Sequence, residues 1–308
     1  MKGLDLAEEY FHAHGAAMLK DKFSAFVDRI AVGYVGPGSE CFGYDDEISR
    51  DHDWGPGFCI WITAKDYKKI GKKIQRAYED LPQRFMGFGP RIVSTGEEFR
   101  TGVCEIGNFY RIYTGLDGQP NSNREWLNIP EPSLAMCTNG RVFADPLGEF
   151  TRRRDRLLEF FPEDVRLKKI ASRCFTIAQA GQYNFARSLK RKAVFALQYA
   201  VAQFCVDAIT IFFLLNRRYT PFYKWLHHAV KELPRQGKTI HAKISELLSQ
   251  KNYDKKQVII EEICTLIIRE LKSDGLSDAG GDFLLDHAYQ VHERIKDQEL
   301  GGQFSLIN

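Results

Sequence analysis

The sequence predicts an α+β protein, with strands and helices in an N-terminal domain over residues 1–150 and an all-helical bundle over residues 151–308. Up to about residue 150, short β-branched and aromatic runs alternate with helical patterns and with breaks rich in Gly and Pro. Beyond that point Gly and Pro thin out, and apolar residues keep helical spacing to the end of the chain. A chain of 308 residues is long enough for two domains of ordinary size.

In the N-terminal domain, helices are predicted over residues 4–28 and 64–81, and strands over residues 30–35, 58–63, 91–94 and 102–106. The first strand is followed at once by a Gly-Pro-Gly break, which ends it. Residues 130–147 combine a short helix with a turn-rich piece, and the Val-Phe-Ala-Asp run that closes it is compatible with a further strand.

The second domain is predicted to consist of helices near 151–160, 163–180, 182–190, 193–215, 220–232, 238–250, 255–273 and 279–298. The stretch 193–215 is apolar enough to resemble a membrane span. It contains Gln198, Gln203 and Asp207, and polar or charged residues at mid-span are costly in lipid. The pattern therefore favours a buried bundle helix and no membrane partner.

Charge and cysteine usage narrow the class of protein further. The chain carries a net charge of +3, but residues 151–193 hold 12 Lys or Arg residues and 4 acids. This basic block is either a solvated face or an attractor for a polyanion.

The seven cysteines are widely spaced and include no Cys-x-x-Cys, which argues against a disulfide framework or a zinc site. The N-terminus is acidic, unlike that of a signal peptide. Together with the cysteine usage, this predicts a reducing, cytoplasmic location.

One stretch carries chemistry: a Gly-Ser turn at Gly38 and Ser39, followed by Asp51-x-Asp53. It lacks the Gly-Lys of a P-loop and the third glycine of a dinucleotide fingerprint. A glycine-flanked turn exposes backbone N–H groups, which together with the serine hydroxyl form a cradle for phosphate oxygens. Residues two apart in an extended segment face the same side, so Asp51 and Asp53 are expected to offer two carboxylates to Mg²⁺.

Gly-Ser followed by Asp-x-Asp resembles the signature of the DNA-polymerase-β-like nucleotidyltransferase superfamily. Four longer stretches resemble a bacterial branch of it, the domain of unknown function 4037; they are residues 38–56, 139–145, 181–187 and 219–225. The resemblance implies a small mixed sheet with flanking helices and a catalytic set of three carboxylates. Asp51 and Asp53 match the first two. Glu105 is the preferred third acid and metal ligand, and Asp145 is the alternative.

The activity that this resemblance implies is the transfer of a nucleotide monophosphate, with AMP from ATP as the first choice, to an acceptor hydroxyl with release of pyrophosphate. The cofactor would be Mg²⁺ or Mn²⁺. A small-molecule acceptor such as an antibiotic is favoured over protein or RNA. The alternatives are a protein- or RNA-directed enzyme and a non-catalytic nucleotide-binding or regulatory module with the same fold. The acceptor, the base preference and the oligomeric state stay open.

The helical domain supplies further candidate residues. Arg187, Lys190 and Arg191 have spacings that put them on one helix face, and they are candidate phosphate ligands. Tyr183 and Asn184 begin the same face and are expected to form a pocket wall or to contact the acceptor. Lys224, which lies between Tyr223 and Trp225, is either a surface lysine or a further contact to the triphosphate or acceptor.

Overall fold

The structure is a computed structural model, and it describes residues 1–91, 100–302 and 304. The chain is an α+β protein, as its sequence predicts, with a four-stranded mixed sheet and a helical C-terminal part. It divides into two compact units. The first consists of Met1–Pro120 and Ile129–Glu159, and the second of Asn121–Asn128 and Phe160–Asn308.

Helices and strands are numbered in chain order. The strands are β1 (Ala31–Tyr34), β2 (Cys59–Ile62), β3 (Gly102–Glu105) and β4 (Arg141–Ala144). The α-helices are α1 (Gly3–Tyr10), α2 (Ala16–Phe23), α3 (Ala64–Asp66), α4 (Lys72–Glu79), α5 (Ile106–Thr114), α6 (Asn123–Asn128), α7 (Glu131–Thr138), α8 (Glu149–Leu158), α9 (Glu163–Ile177), α10 (Ala186–Lys190), α11 (Val194–Leu215), α12 (Tyr223–Val230), α13 (Gly237–Ser249), α14 (Tyr253–Ser273) and α15 (Leu284–Glu293). Three π-helical segments continue these helices at Phe11–Gly15, Tyr67–Gly71 and Ala178–Phe185.

Most elements lie where the sequence predicts them. The strands over 30–35, 58–63 and 102–106 are confirmed, and the Val-Phe-Ala run does form a strand, β4. The strand expected at 91–94 falls largely outside the described residues, and Arg91 itself is not in a strand. The first helix ends at Phe23 rather than near residue 28, because the chain turns there and continues in a short 3₁₀ segment, Val27–Arg29.

The strand directions decide which loops meet. The strand order is β3-β2-β1-β4; β1 is antiparallel to both neighbours, and β2 is parallel to β3. The chain therefore leaves β1 and enters β2, β3 and β4 at one end of the sheet, which we call the Gly-Ser end. Tyr34, Cys59, Gly102 and Arg141 mark it, since Gly33 pairs with Cys59, Cys59 with Gly102 and Tyr34 with Arg141.

Both faces of the sheet are covered. Ile60 and Ile62 of β2 pack into a cluster with side chains of α1, α2 and α4. On the other face Trp61 stacks on Phe150 with ring centroids 3.9 Å apart and packs edge-on against Phe109. All four residues of β2 are consequently buried. This explains why the strand reads as a continuous apolar run rather than an alternating one.

The second unit is built around α11. By length and composition this helix could cross a membrane, but 72% of its most apolar 18-residue stretch is buried inside the protein. Asp207, fully buried, accepts hydrogen bonds from Arg173 of α9 at 2.9 Å and from Gln203 at 2.8 Å. A buried carboxylate needs such partners. Two of the three polar residues that argued against a lipid environment, Gln203 and Asp207, thus bind inside the unit, whereas Gln198 is exposed.

Gly33 allows β4 to approach β1 closely. A Cβ at this position would lie 2.4 Å from the carbonyl oxygen of Arg141, which is backbone and cannot move away cheaply. We expect Gly33→Ala to lower the free energy of unfolding by about 1–3 kcal/mol. Gly118→Ala is the control, because a Cβ there meets nothing within 4 Å. Urea unfolding measures both, and equal midpoints would contradict the close-approach argument.

All seven cysteines are buried and reduced. Burial raises the thiol pKa of Cys59, Cys137 and Cys205 from 9.0 to about 12. A pKa raised in the folded state gives stability that is complete below pH 9.0 and is lost as the pH rises toward 12. We therefore expect the urea midpoint to fall steadily above pH 9.0. Cys205→Ala should make that fall shallower, and an unchanged pH dependence in this variant would contradict the assignment.

Candidate functional site

The turn that follows β1 is held from the β4 side. The Gly36 N–H donates to Oδ1 of Asn139 at 3.1 Å, and Nδ2 of Asn139 donates back to the Gly36 carbonyl at 2.8 Å. The Gly140 N–H donates to the Cys41 carbonyl at 2.9 Å. Gly140 has φ +62°, and a Cβ there would lie 2.0 Å from the Tyr34 carbonyl oxygen. The Asn139-Gly140 pair therefore fixes the shape of the Gly-Ser turn.

The turn keeps backbone donors available. Within the described residues, no hydrogen bond engages the N–H groups of Gly38, Ser39 or Glu40. Gly38 is buried, and a Cβ there would meet the Glu40 carboxylate at 2.4 Å. The hydroxyl of Ser39, which is half-buried, is 3.4 Å from the same carboxylate. Consecutive N–H groups of this kind can bind an anion.

A buried polar network lies beside the turn. The Glu40 carboxylate accepts hydrogen bonds from the Tyr34 hydroxyl and from Nη1 of Arg91, the latter at 3.3 Å. Arg91, with a side chain only 6% exposed, also donates to the carbonyls of Asp53 and, at 3.1 Å, of Gly55. Burial lowers the pKa of Arg91, but Tyr34 and Glu40 outweigh this and raise it above its ordinary value. The guanidinium stays charged and ties the turn to the Asp51–Asp53 loop.

The expectation of an extended Asp-x-Asp segment is wrong. Asp51 follows the 3₁₀ turn Ile48–Arg50 with φ −70° and ψ −33°, and Asp53 has φ +52°. The Asp51 side chain is 63% exposed and lies 2.7 Å from Nδ1 of His52, whereas that of Asp53 is 5% exposed and lies 3.9 Å from Nη2 of Arg100. The loop is curled because Arg91 binds two of its carbonyls, so the carboxylates do not share one side.

Neither third-acid candidate lies at the Gly-Ser end. Glu105 is the last residue of β3, level with Ile62, and precedes α5. Asp145 follows β4 at the same far end, where its carboxylate accepts the N–H groups of Gly148 at 3.0 Å and Thr151 at 2.8 Å and so caps α8. In the described part of the chain, no three His, Cys, Asp or Glu side chains converge as a metal site. The structure does not bring Glu105 or Asp145 to Asp51 and Asp53.

Other residues of this region were not singled out by the sequence. The sequence pattern assigns no role to Glu40, Asp45, Arg91 or Arg100. Asp45 is buried, and its carboxylate accepts the Gly3 N–H at 2.8 Å and Nε1 of Trp54 at 3.0 Å. The one usable signal was the position of Glu40 directly after Gly38-Ser39. No local pattern connects Arg91 to a turn some 50 residues earlier.

The remaining candidates lie in the second unit, and their roles stay predictions. Tyr183 and Asn184 belong to the π-helical segment, and the guanidinium carbon of Arg187 lies 4.9 Å from the centroid of the Tyr183 ring. Nζ of Lys224 lies 5.1 Å from the centroid of the Trp225 ring. All six candidates are exposed; they are Tyr183, Asn184, Arg187, Lys190, Arg191 and Lys224.

Comparison with known proteins supports part of the resemblance. Residues 126–226 match the family described as Domain of unknown function (DUF4037), and this range includes three of the four similar stretches but not the Gly-Ser turn or the Asp pair. The chain is also similar to the crystal structure of a nucleotidyltransferase-like protein from Exiguobacterium sibiricum 255-15. The match has 11% identity and a TM-score of 0.34, and it covers 91% of this chain and 78% of that chain. A search of curated proteins found no match.

The pairing of Arg91 with Glu40 can be tested by a double-mutant cycle. Arg91→Met leaves a buried carboxylate without its cation, and we expect a loss of about 3–5 kcal/mol in the free energy of unfolding. Arg91→Met combined with Glu40→Gln removes the unpaired charge and should lose less than the single variant. Urea unfolding gives all four stabilities. A double variant that loses as much as the sum of the single variants would show that the two side chains do not interact.

Proposed function

We propose that the chain binds a nucleoside triphosphate at the Gly-Ser end and transfers its nucleotidyl group to an acceptor hydroxyl, with release of pyrophosphate. The observation that carries this proposal is the set of N–H groups of Gly38, Ser39 and Glu40, which bind nothing within the described residues. They lie after β1, at the same end of the sheet as the Asp51–Asp53 loop. Phosphate oxygens are the acceptors that such a turn suits.

The proposed Mg²⁺ or Mn²⁺ has to be fitted to the donors that are present. Asp51 is exposed and, among the described residues, contacts only the exposed ring of His52, whereas Asp53 lies nearby in the same loop but faces Arg100. Mg²⁺ in phosphoryl-transfer sites is commonly held by one or two carboxylates together with substrate phosphates and waters. The donor set therefore fits an ion that arrives with the triphosphate, not one bound beforehand. When bound, it would neutralise charge on the phosphates.

The residues of the chain divide the remaining work. The N–H groups of Ser39 and its neighbours would hold phosphate oxygens, while Arg91 keeps the Asp51–Asp53 loop against the turn. Arg187, Lys190, Arg191 and Lys224 remain proposed phosphate contacts. Tyr183 and Asn184 remain proposed walls for the acceptor. We further propose that the nucleotide is ATP, that the acceptor is a small molecule and that the protein is cytoplasmic. It assigns no general base, since Glu105 and Asp145 lie at the far end of the sheet.

One observation favours a second candidate, a nucleotide-binding module without turnover. Nucleotidyl transfer needs a group to take the proton from the acceptor hydroxyl. Among the residues that the structure describes, no three His, Cys, Asp or Glu side chains converge as a metal site, and both predicted third acids, Glu105 and Asp145, lie at the far end of the sheet. A binding module would use the same turn and the same two aspartates, and would differ only in releasing no pyrophosphate.

Calorimetric titration tests the binding step. We expect no measurable Mg²⁺ binding to the protein alone and clear binding of ATP in the presence of Mg²⁺. Asp51→Asn should weaken Mg·ATP binding by about tenfold or more, because it removes a charged ligand worth about 1.5–3 kcal/mol. Glu47→Gln is the matched control, an exposed acid four residues away that removes the same charge.

The outcomes separate the candidates. Equal ATP affinity in the wild type, Asp51→Asn and Glu47→Gln would contradict the role of Asp51. Tight Mg²⁺ binding without nucleotide would contradict an ion carried by the substrate. Pyrophosphate release from ATP in the presence of acceptor hydroxyls distinguishes the transferase from the binding module.

A further inference from the structure

Four exposed cations lie close together in the second unit. Residues 165–206 contain eight Lys or Arg residues and no Asp or Glu. Arg166, Lys168 and Lys169 are buried, and Arg173 pairs with Asp207. The other four are all exposed, and within the described residues none of them forms an ion pair; they are Arg187, Lys190, Arg191 and Lys192. Their charge is therefore available to an anionic partner.

Exposed aromatic rings flank these cations. Tyr183 precedes them, and Phe195 and Tyr199 follow them, with 84% and 63% of these two residues exposed. The rings of Phe195 and Tyr199, one helical turn apart, are nearly parallel at 20° with centroids 6.4 Å apart. Large aromatic rings gain much from burial, so their exposure here marks a surface that a partner can cover.

These side chains belong to one helical hairpin. The π-helical segment and α10 form its first arm and α11 its second, and the arms pack against each other. Lys192 has φ +55°, and the Ala193 N–H donates to the Ser188 carbonyl at 3.0 Å, which closes the tight turn between them. We call this the hairpin surface; it comprises Tyr183, Arg187, Lys190, Arg191, Lys192, Phe195 and Tyr199.

We propose that the hairpin surface binds single-stranded RNA. The cations match the phosphates of a polynucleotide, and the rings offer platforms on which unpaired bases stack. A duplex hides the faces of its bases, so exposed rings favour a single strand. Asn184 and Gln198, which follow Tyr183 and precede Tyr199 in the sequence, are exposed as well, and their side-chain amides can form hydrogen bonds to ribose 2′-hydroxyls. This proposal goes beyond nucleotide binding at the Gly-Ser end. It gives Arg187, Lys190 and Arg191 a polynucleotide as their ligand in place of the triphosphate.

An anionic membrane is the less suitable partner for this surface. A membrane-binding helix presents a broad apolar face below its cations. The second arm exposes Val194, Phe195, Gln198, Tyr199, Ala202 and Val206. Gln198 and the Tyr199 hydroxyl interrupt this face, and the cations are at the turn and on the first arm rather than above it. Bases and phosphates that alternate along a strand match this mixture of rings, amides and charges better than lipid tails do.

Fluorescence anisotropy of the full chain with a labelled oligouridine of about 15 nucleotides tests the proposal. Phe195→Ala with Tyr199→Ala should weaken binding about fivefold or more, since each lost stacking contact weakens it several-fold. Arg187→Ala with Lys190→Ala should weaken it as well, and should reduce the slope of log K against log salt by about 1.4. Lys251→Ala with Lys255→Ala is the charge-matched control and should leave both unchanged. All six residues are exposed, so the variants keep their fold.

Competition with unlabelled DNA of the same sequence and with duplex RNA should be weaker than with the single-stranded RNA. The proposal is overturned if the oligouridine does not bind, or if the control variant loses as much affinity as the surface variants. Binding of phosphatidylserine vesicles without binding of RNA would also overturn it. If Arg187→Ala with Lys190→Ala loses ATP affinity but keeps its RNA affinity, the proposal is also overturned, and these cations are triphosphate contacts instead.

Discussion

The Gly-Ser end of the sheet depends on one buried cation. Arg91 reaches the Glu40 carboxylate after the first strand and the carbonyls of Asp53 and Gly55 before the second. Its guanidinium carbon also lies 5.3 Å from the centroid of the Tyr34 ring. A planar group with five donors can join three chain segments in this way, whereas an ammonium group cannot. The turn and the aspartate loop thus keep their relative positions through Arg91.

The local sequence pattern is sufficient to predict the helices and strands, but not the arrangement of side chains at the Gly-Ser end. The strands around Val32 and Ile60 are short apolar runs bounded by chain breaks, and this pattern alone is enough to predict a buried strand. The curl at Asp53 comes from a side chain some 40 residues later, which no local spacing reveals. Glu105 does lie in a strand, but whether its side chain can reach Asp51 depends on the direction of that strand in the sheet. Parallel pairing of β2 with β3 is a property of the whole sheet.

The basic block illustrates the same limit for charge. Each Lys or Arg contributes equally to the net charge of the sequence. In the folded protein, however, some of these side chains are buried and bind internal groups, whereas others are exposed. Lys168, buried in α9, donates to the Leu300 carbonyl at 3.1 Å, and burial lowers its pKa. Arg173 neutralises Asp207. Several of its cations thus bind groups inside the protein, whereas Arg187, Lys190, Arg191 and Lys192 are exposed and form no ion pair within the described residues. The net charge of the block therefore overstates what a polyanion can meet.

Two carboxylates of the Gly-Ser end, Glu40 and Asp53, are already paired with cations of the chain. Two cations, Arg91 and Arg100, lie among its carboxylates, and Glu40 and Asp53 already face them. A free divalent cation would have to compete with these fixed charges for the same oxygens. Under the proposed function, a triphosphate would instead bring negative charge to the N–H groups of Gly38, Ser39 and Glu40 and would bring its ion with it. Under the proposed function, the N–H groups of the turn would hold the phosphate tail, and Asp51 would be the carboxylate left to contact the ion.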